Sequence, residues 1–75
     1  MQIIDPTDRK AIGSALMHAR SERNLTQRKL AEASGVPQGE ISRIERGARD
    51  VTLPWLNDIA KALGQNVSIA LTPKV

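Results

Sequence analysis

Apolar residues recur at helical spacing along four stretches of the chain and then switch to alternation. The first stretch opens at Asp5-Pro6, an acidic N-cap with proline at the first helical position. Ile12, Leu16 and Ala19 follow at i, i+4 and i+7 as one stripe, which ends at Asn24. The second runs from an N-cap at Thr26 to Ser34, with Leu30 and Ala31 facing inward and Gly35 as the stop. The third begins near Pro37, turns Ile41 and Ile44 inward and stops at Gly47. The fourth starts at Thr52. Pro54 is tolerated in its first turn, where backbone N–H groups have no helical partner, and Leu53, Leu56, Ile59, Ala60 and Leu63 form a stripe that Gly64 closes. From Asn66 to Thr72 the period becomes two, with Val67, Ile69 and Leu71 on one face, which predicts a strand ended by Pro73.

A lone strand cannot satisfy its own backbone. Gln2-Ile3-Ile4 is the mate available within the chain, and three residues make a poor one. The preferred partner is therefore a strand of a second copy, paired across a two-fold axis. The expected architecture is all-α: a bundle of four or more short helices with a short C-terminal β-strand paired across a dimer. It forms one domain over residues 1–75, with its core at about 8–64 and the dimerising strand at 66–72.

The centre of the pattern, Gln27 to Glu45, reads as two short helices around a tight turn. Ala31 is small where the second helix must cross closely. Gly35 supplies a left-handed turn conformation that a side chain would resist. Leu30, Val36, Ile41 and Ile44 fill the wedge between the helices. This is a helix-turn-helix, an arrangement that holds its second helix clear of the body so that outward residues can enter a major groove.

Composition narrows the picture. Seventy-five residues suffice for one small domain, and a domain of this size buries only about 60% of its unfolded surface, so the core is thin. Leu, Ile and Val supply 18 residues, enough for a folded core rather than disorder. With no Cys and with His18 as the sole histidine, neither a disulfide nor a metal site is expected, and no cofactor. Apolar runs of two or three residues cannot span a membrane. Met1 to Asp5 lacks the basic start and apolar run of a signal peptide, so a cytoplasmic protein is expected.

Charge then points to a partner. The net charge is +3, and the whole excess lies between residues 20 and 49. There Arg20, Arg23, Arg28, Lys29, Arg43, Arg46 and Arg49 face only Glu22, Glu32, Glu40 and Glu45, while the remainder of the chain is balanced. Six of these seven bases are arginine, the residue suited to bidentate contact with phosphate or guanine. A solvated basic face would show the same count, so charge alone leaves a polyanion partner as one of two readings.

Leu25-Thr26-Gln27, Leu30-Ala31, Ser34-Gly35-Val36, Ile41-Ser42-Arg43-Ile44-Glu45-Arg46-Gly47 and Thr52-Leu53 through Ala62-Leu63-Gly64 form a specific set over residues 11–64. On these residues the chain resembles the lambda-repressor-like, XRE-type helix-turn-helix proteins. The resemblance implies that Gln27 holds a phosphate and braces the recognition helix. It implies that Gln38, Gly39 and Arg43 sit where bases are read, Gln38 suited to adenine and Arg43 to guanine O6 and N7. Pro37 begins that helix, and Glu40 and Ser42 lie at the edge of its reading face. Arg46 and Arg49 fall where the family contacts the DNA backbone, with Arg28 and Arg23 as further phosphate contacts. Arg20 and Glu45 resemble a family ion pair that ties the first helix to the end of the third.

Two positions depart from the pattern. Gly39 removes a side chain where a base is usually read and weakens the helix by ~1 kcal/mol relative to Ala. Glu40 brings a carboxylate toward DNA, where it must accept from a cytosine amino group or be repelled. The strand after the fourth helix resembles HigA- or HipB-type antitoxins and small autoregulators. In HipB-like proteins the terminal strands pair across the dimer.

The remaining chemistry is sparse. Ser14, Ser34 and Ser42 have no His–Asp setting, and the acids are scattered singly, so an enzyme is not expected. Trp55 reads as a core or dimer contact, with Val67, Ile69 and Leu71 as further dimerisation residues. The expected function is sequence-specific binding of double-stranded operator DNA by a homodimeric transcriptional regulator, a repressor. The alternative is an antitoxin that neutralises a protein toxin and regulates its own operon.

Overall fold

The computed structural model describes residues 7–69 together with the backbone of Gln2 and Ile3. The element order is β1 (Gln2–Ile3), α1 (Arg9–Glu22), α2 (Gln27–Ser34), α3 (Gln38–Glu45), α4 (Leu53–Ala62) and β2 (Ser68–Ile69). Helix starts follow from side-chain oxygens placed to take N–H groups that have no helical partner. Thr26 Oγ1 accepts from the Lys29 N–H at 3.0 Å, and Thr52 Oγ1 from the Trp55 N–H at 3.3 Å. For α1 the cap is Asp8, whose Oδ1 accepts from the Ala11 N–H at 3.0 Å, and not Asp5. Asp8 stands four residues before Ile12, the first buried residue of the stripe, and its carbonyl takes the Ile12 N–H at 3.0 Å. Asp5 and Pro6 lie outside the described residues.

Three helices end in the same way. After α1 the N–H of Asn24 reaches the Ser21 carbonyl and that of Leu25 the Arg20 carbonyl. After α3 Gly47 and Ala48 reach Ile44 and Arg43, and after α4 Gly64 and Gln65 reach Lys61 and Ala60. This double bond pattern needs a left-handed residue at its centre. Asn24 and Gly47 supply it, with φ of 55° and 69°.

The helices enclose one cluster: Ile12, Leu16, Leu30, Val36, Ile41, Ile44, Leu56, Ile59 and Leu63. Helix α1 packs on α3, and α2 packs on both α3 and α4. Every inward position expected of α2 and α3 lies in this core or against it. Leu53 departs from expectation: it is 60% exposed, at the first position of α4 and one turn beyond Leu56, where the core ends.

The strand also corrects the expectation. Ser68–Ile69 pairs in parallel with Gln2–Ile3 of the same chain, in the register Gln2↔Ser68 and Ile3↔Ile69. The mate judged poor for its length is the one used. Parallel neighbours require a long crossover, which the four helices provide, and a mate within the chain avoids the entropy that association costs. Val67 packs half-buried against the core. Leu71 and Pro73 lie outside the described residues.

Candidate nucleic-acid interface

The turn between α2 and α3 is held by its own atoms. Gly35 sits at φ 78° and donates to the Ala31 carbonyl at 2.9 Å, while Ser34 Oγ accepts from the Val36 N–H at 3.2 Å. Val36 is buried and anchors the turn on the core. Pro37 then starts α3 without a side-chain cap, its carbonyl accepting from Glu40 and Ile41.

Behind α3 lies a polar knot in the apolar interior. Glu45 is the one buried charged residue among those described. Arg20 Nε donates to Glu45 Oε2 at 2.7 Å, and a second guanidinium nitrogen donates to Oε1 at 3.0 Å. The third reaches the Leu25 carbonyl at 2.7 Å, at the turn into α2. Gln27 Nε2 adds a bond to Glu45 Oε1 at 3.0 Å. Thus α1, the α1–α2 turn, α2 and the end of α3 meet at one ion pair. The hydrogen bonds to Glu45 hold Arg20 above the ordinary arginine value, against partial desolvation, and the carboxylate's charge adds to them. No buried side-chain nitrogen or oxygen lacks a partner among the described residues.

Gly13 completes the clamp, and the sequence pattern gave it no role. A Cβ on Gly13 would collide with the Ile44 carbonyl oxygen and lie 2.9 Å from that of Glu45. Helix α1 therefore rests backbone to backbone on the C-terminal turn of α3. The one signal in the sequence is a glycine inside a helical stripe, which elsewhere costs helix stability without return.

The outward side of α3 is the expected reading face. Pro37, Gln38, Gly39, Arg43 and Arg46 are exposed and Ser42 is half-buried. A Cβ on Gly39 would meet nothing within 4 Å, so this position is an open slot in the surface. Arg46 Nε bonds back to the Ser42 carbonyl at 3.3 Å. Arg28, on α2, pairs with Glu32 at 3.4 Å, both exposed. Gln27 is turned toward Glu45 at the end of α3. The Arg23 guanidinium lies against Gly64, at the end of α4.

Glu40 lies between two arginines of its own chain. Its carboxylate bonds to Arg49 and stands 3.7 Å from Arg43. The bond to Arg49 holds it below the ordinary glutamate value, against some desolvation, and the charges of Arg49 and Arg43 act in the same direction. Arg49 in turn lies over the Trp55 ring, 5.0 Å from its centre, and donates to the Asp50 carbonyl at 2.8 Å. Trp55 is half-buried against the core and carries this arginine. Among the described residues no three His, Cys, Asp or Glu side chains group to hold a metal, and no helix is long and apolar enough to cross a membrane.

Comparison with known proteins agrees with this geometry. The profile of the family described as Helix-turn-helix matches residues 16–69. The uncharacterized HTH-type transcriptional regulator y4dJ of Sinorhizobium fredii is 38% identical over 65 residues, covering 87% of this chain and 84% of the relative. The restriction-modification controller protein C.AhdI from Aeromonas hydrophila superposes with a TM-score of 0.77 at 32% identity, over 79% of this chain and 89% of that one. The clp gene regulator ClgR from Corynebacterium glutamicum gives 0.75 at 41% identity over 77% of this chain, which spans 62% of ClgR. These names speak of gene regulation and of restriction-modification control, and they lend the antitoxin reading no support.

Proposed function

The chain belongs to the helix-turn-helix family and is a transcriptional regulator with a DNA-binding domain; on that premise we propose that it represses transcription as a homodimer on a pseudo-palindromic operator. One observation carries the reading. A buried network of Arg20, Glu45 and Gln27 fixes α3 from behind, while its front presents Gln38 and Arg43 to solvent. Such a rigid, pre-positioned helix is what base reading in the major groove requires.

In this reading Arg43 takes guanine O6 and N7, Gln38 takes adenine, and Gln27, Arg28 and Arg46 hold phosphates. Gly39 leaves more of the specificity to DNA shape than a side chain there would. The dimer contact is assigned to the start of α4, where Leu53 is exposed and Trp55 half-buried. Two copies would set their α3 helices in successive major grooves about 34–36 Å apart.

The test is selection of bound duplexes from random-sequence DNA at near-physiological salt. An enriched inverted repeat, its half-sites about one helical turn apart, is the expected result. Binding with no enriched sequence would overturn the specific-operator reading, and an enriched single half-site would overturn the dimer.

A further inference from the structure

Glu40 sits at the edge of a DNA-facing helix and occupies two of the arginines that face should offer. Its side chain is three-quarters covered, and its carboxylate bonds to Arg49, whose side chain is itself only 35% exposed. On its other side Glu40 lies one helical turn from Arg43, at 3.7 Å. The Trp55 ring and the Asp50 carbonyl also touch Arg49. Together they form a three-residue cluster with one negative charge between two positive ones, with Arg43 the exposed member.

From this geometry we infer that Glu40 is a specificity-determining residue, which occupies Arg43 and Arg49 in the free protein and gives them up only to DNA whose base edges repay the exchange. A phosphate at an arbitrary position must displace a carboxylate already in place and approach that carboxylate's charge. A correctly placed guanine offers Arg43 two acceptors with no full negative charge near Glu40, so the exchange is easier there. The carboxylate thus weakens binding to every sequence and weakens binding to the wrong ones most, which raises discrimination by a repulsive element. The inference rests on the DNA-binding reading above.

Glu40→Gln keeps the side chain's size and removes its charge. We expect this variant to bind a random-sequence 20-base-pair duplex more tightly and with a steeper salt dependence. Each arginine newly placed on a phosphate adds about 0.9 to the slope of log K against log salt, a factor of about eight per decade of salt. One or two released arginines therefore give about 0.9 to 1.8 in slope, and roughly tenfold or more in affinity near 0.1 M salt. Affinity for the selected operator should rise less, so the ratio of specific to non-specific binding falls.

Asp58→Asn is the control for net charge, since it removes an exposed carboxylate from α4. It should leave the slope unchanged. Glu40→Asp, which restores the charge, should bring non-specific affinity back toward wild type, and thermal melts of each variant check the fold independently. If Glu40→Gln and Asp58→Asn raise non-specific affinity equally, or if the Glu40→Gln slope equals that of wild type, Glu40 has no such role. Wild-type protein is titrated beside each variant. Wild-type binding with an unchanged variant removes this inference alone, whereas wild-type protein that binds no duplex removes the DNA-binding reading and this one with it.

Discussion

Replacing Arg20 by Met should cost this domain a large part of its stability, although Arg20 lies on α1, away from the reading face. The change keeps an unbranched apolar stem but deletes the guanidinium. Two hydrogen bonds to Glu45 and one to the Leu25 carbonyl are lost together. The carboxylate left behind has a side chain only 3% exposed, with Gln27 as its remaining partner. Removing one member of a buried pair costs about 3–5 kcal/mol, because the surviving charge is stranded away from water. A domain of 75 residues has roughly 4–11 kcal/mol in total, so the variant loses from about a quarter of its stability to all of it. At about 4–8 °C per kcal/mol, the melting midpoint falls by roughly 12–40 °C.

Urea titration followed by far-ultraviolet circular dichroism gives the difference, and Trp55, the sole aromatic residue, gives a second probe by fluorescence. The double variant Arg20→Met with Glu45→Met should be more stable than Arg20→Met alone by about 2 kcal/mol or more, since no charge is then stranded. A loss below about 1 kcal/mol in the single variant is what an exposed ion pair would give. That result, or single effects that simply add in the double variant, would refute the stranded-charge argument.

Gly13→Ala should destabilise by about 1–3 kcal/mol, because the added methyl drives α1 off the Ile44 and Glu45 carbonyls; a melting point equal to or above wild type would show that the usual helix gain of alanine prevails there. Arg43→Ala should relax base preference at one position per half-site and cost roughly 1–3 kcal/mol of binding, whereas an equal loss on all duplexes would make Arg43 a phosphate contact only. Glu40 titrates below its ordinary value when folded, so its charge contributes stability above the unfolded value of about 4.3 and loses it as pH falls through the folded one. The difference in melting point between wild type and Glu40→Gln should therefore be steady near neutrality and close in that acid range; a difference that persists at the lowest pH would separate it from the carboxylate's charge.

Local chemistry was legible wherever it acts over three or four residues. Thr26, Gly35, Thr52 and the helix ends at Asn24, Gly47 and Gly64 were readable because capping needs a particular residue type at a fixed offset. Asp5 and Asp8 offer the same cap chemistry, and the choice between them was set by distance to the first buried residue. Leu53 satisfies the stripe arithmetic but lies past the end of the core, which periodicity does not report. The non-local features were hidden for a different reason. Glu40, Arg49 and Trp55 come together across the α3–α4 loop, and no period links positions 40, 49 and 55. The Arg20–Glu45 pair came from likeness to a family and not from spacing, being separated by 25 residues. Gly13 offered only a missing side chain, whose meaning lies in the helix it meets.

The open slot at Gly39 gives the molecule a route to divergence. A Cβ at that position would meet no neighbour within 4 Å, and a residue other than glycine or proline would also strengthen α3. Most changes of binding preference draw down folding stability, so lineages that acquire them need compensating substitutions. Here a descendant could acquire a new operator by a single codon change and become sturdier in the same step. Duplicate copies of such a gene could part ways in target choice while their frames stayed interchangeable.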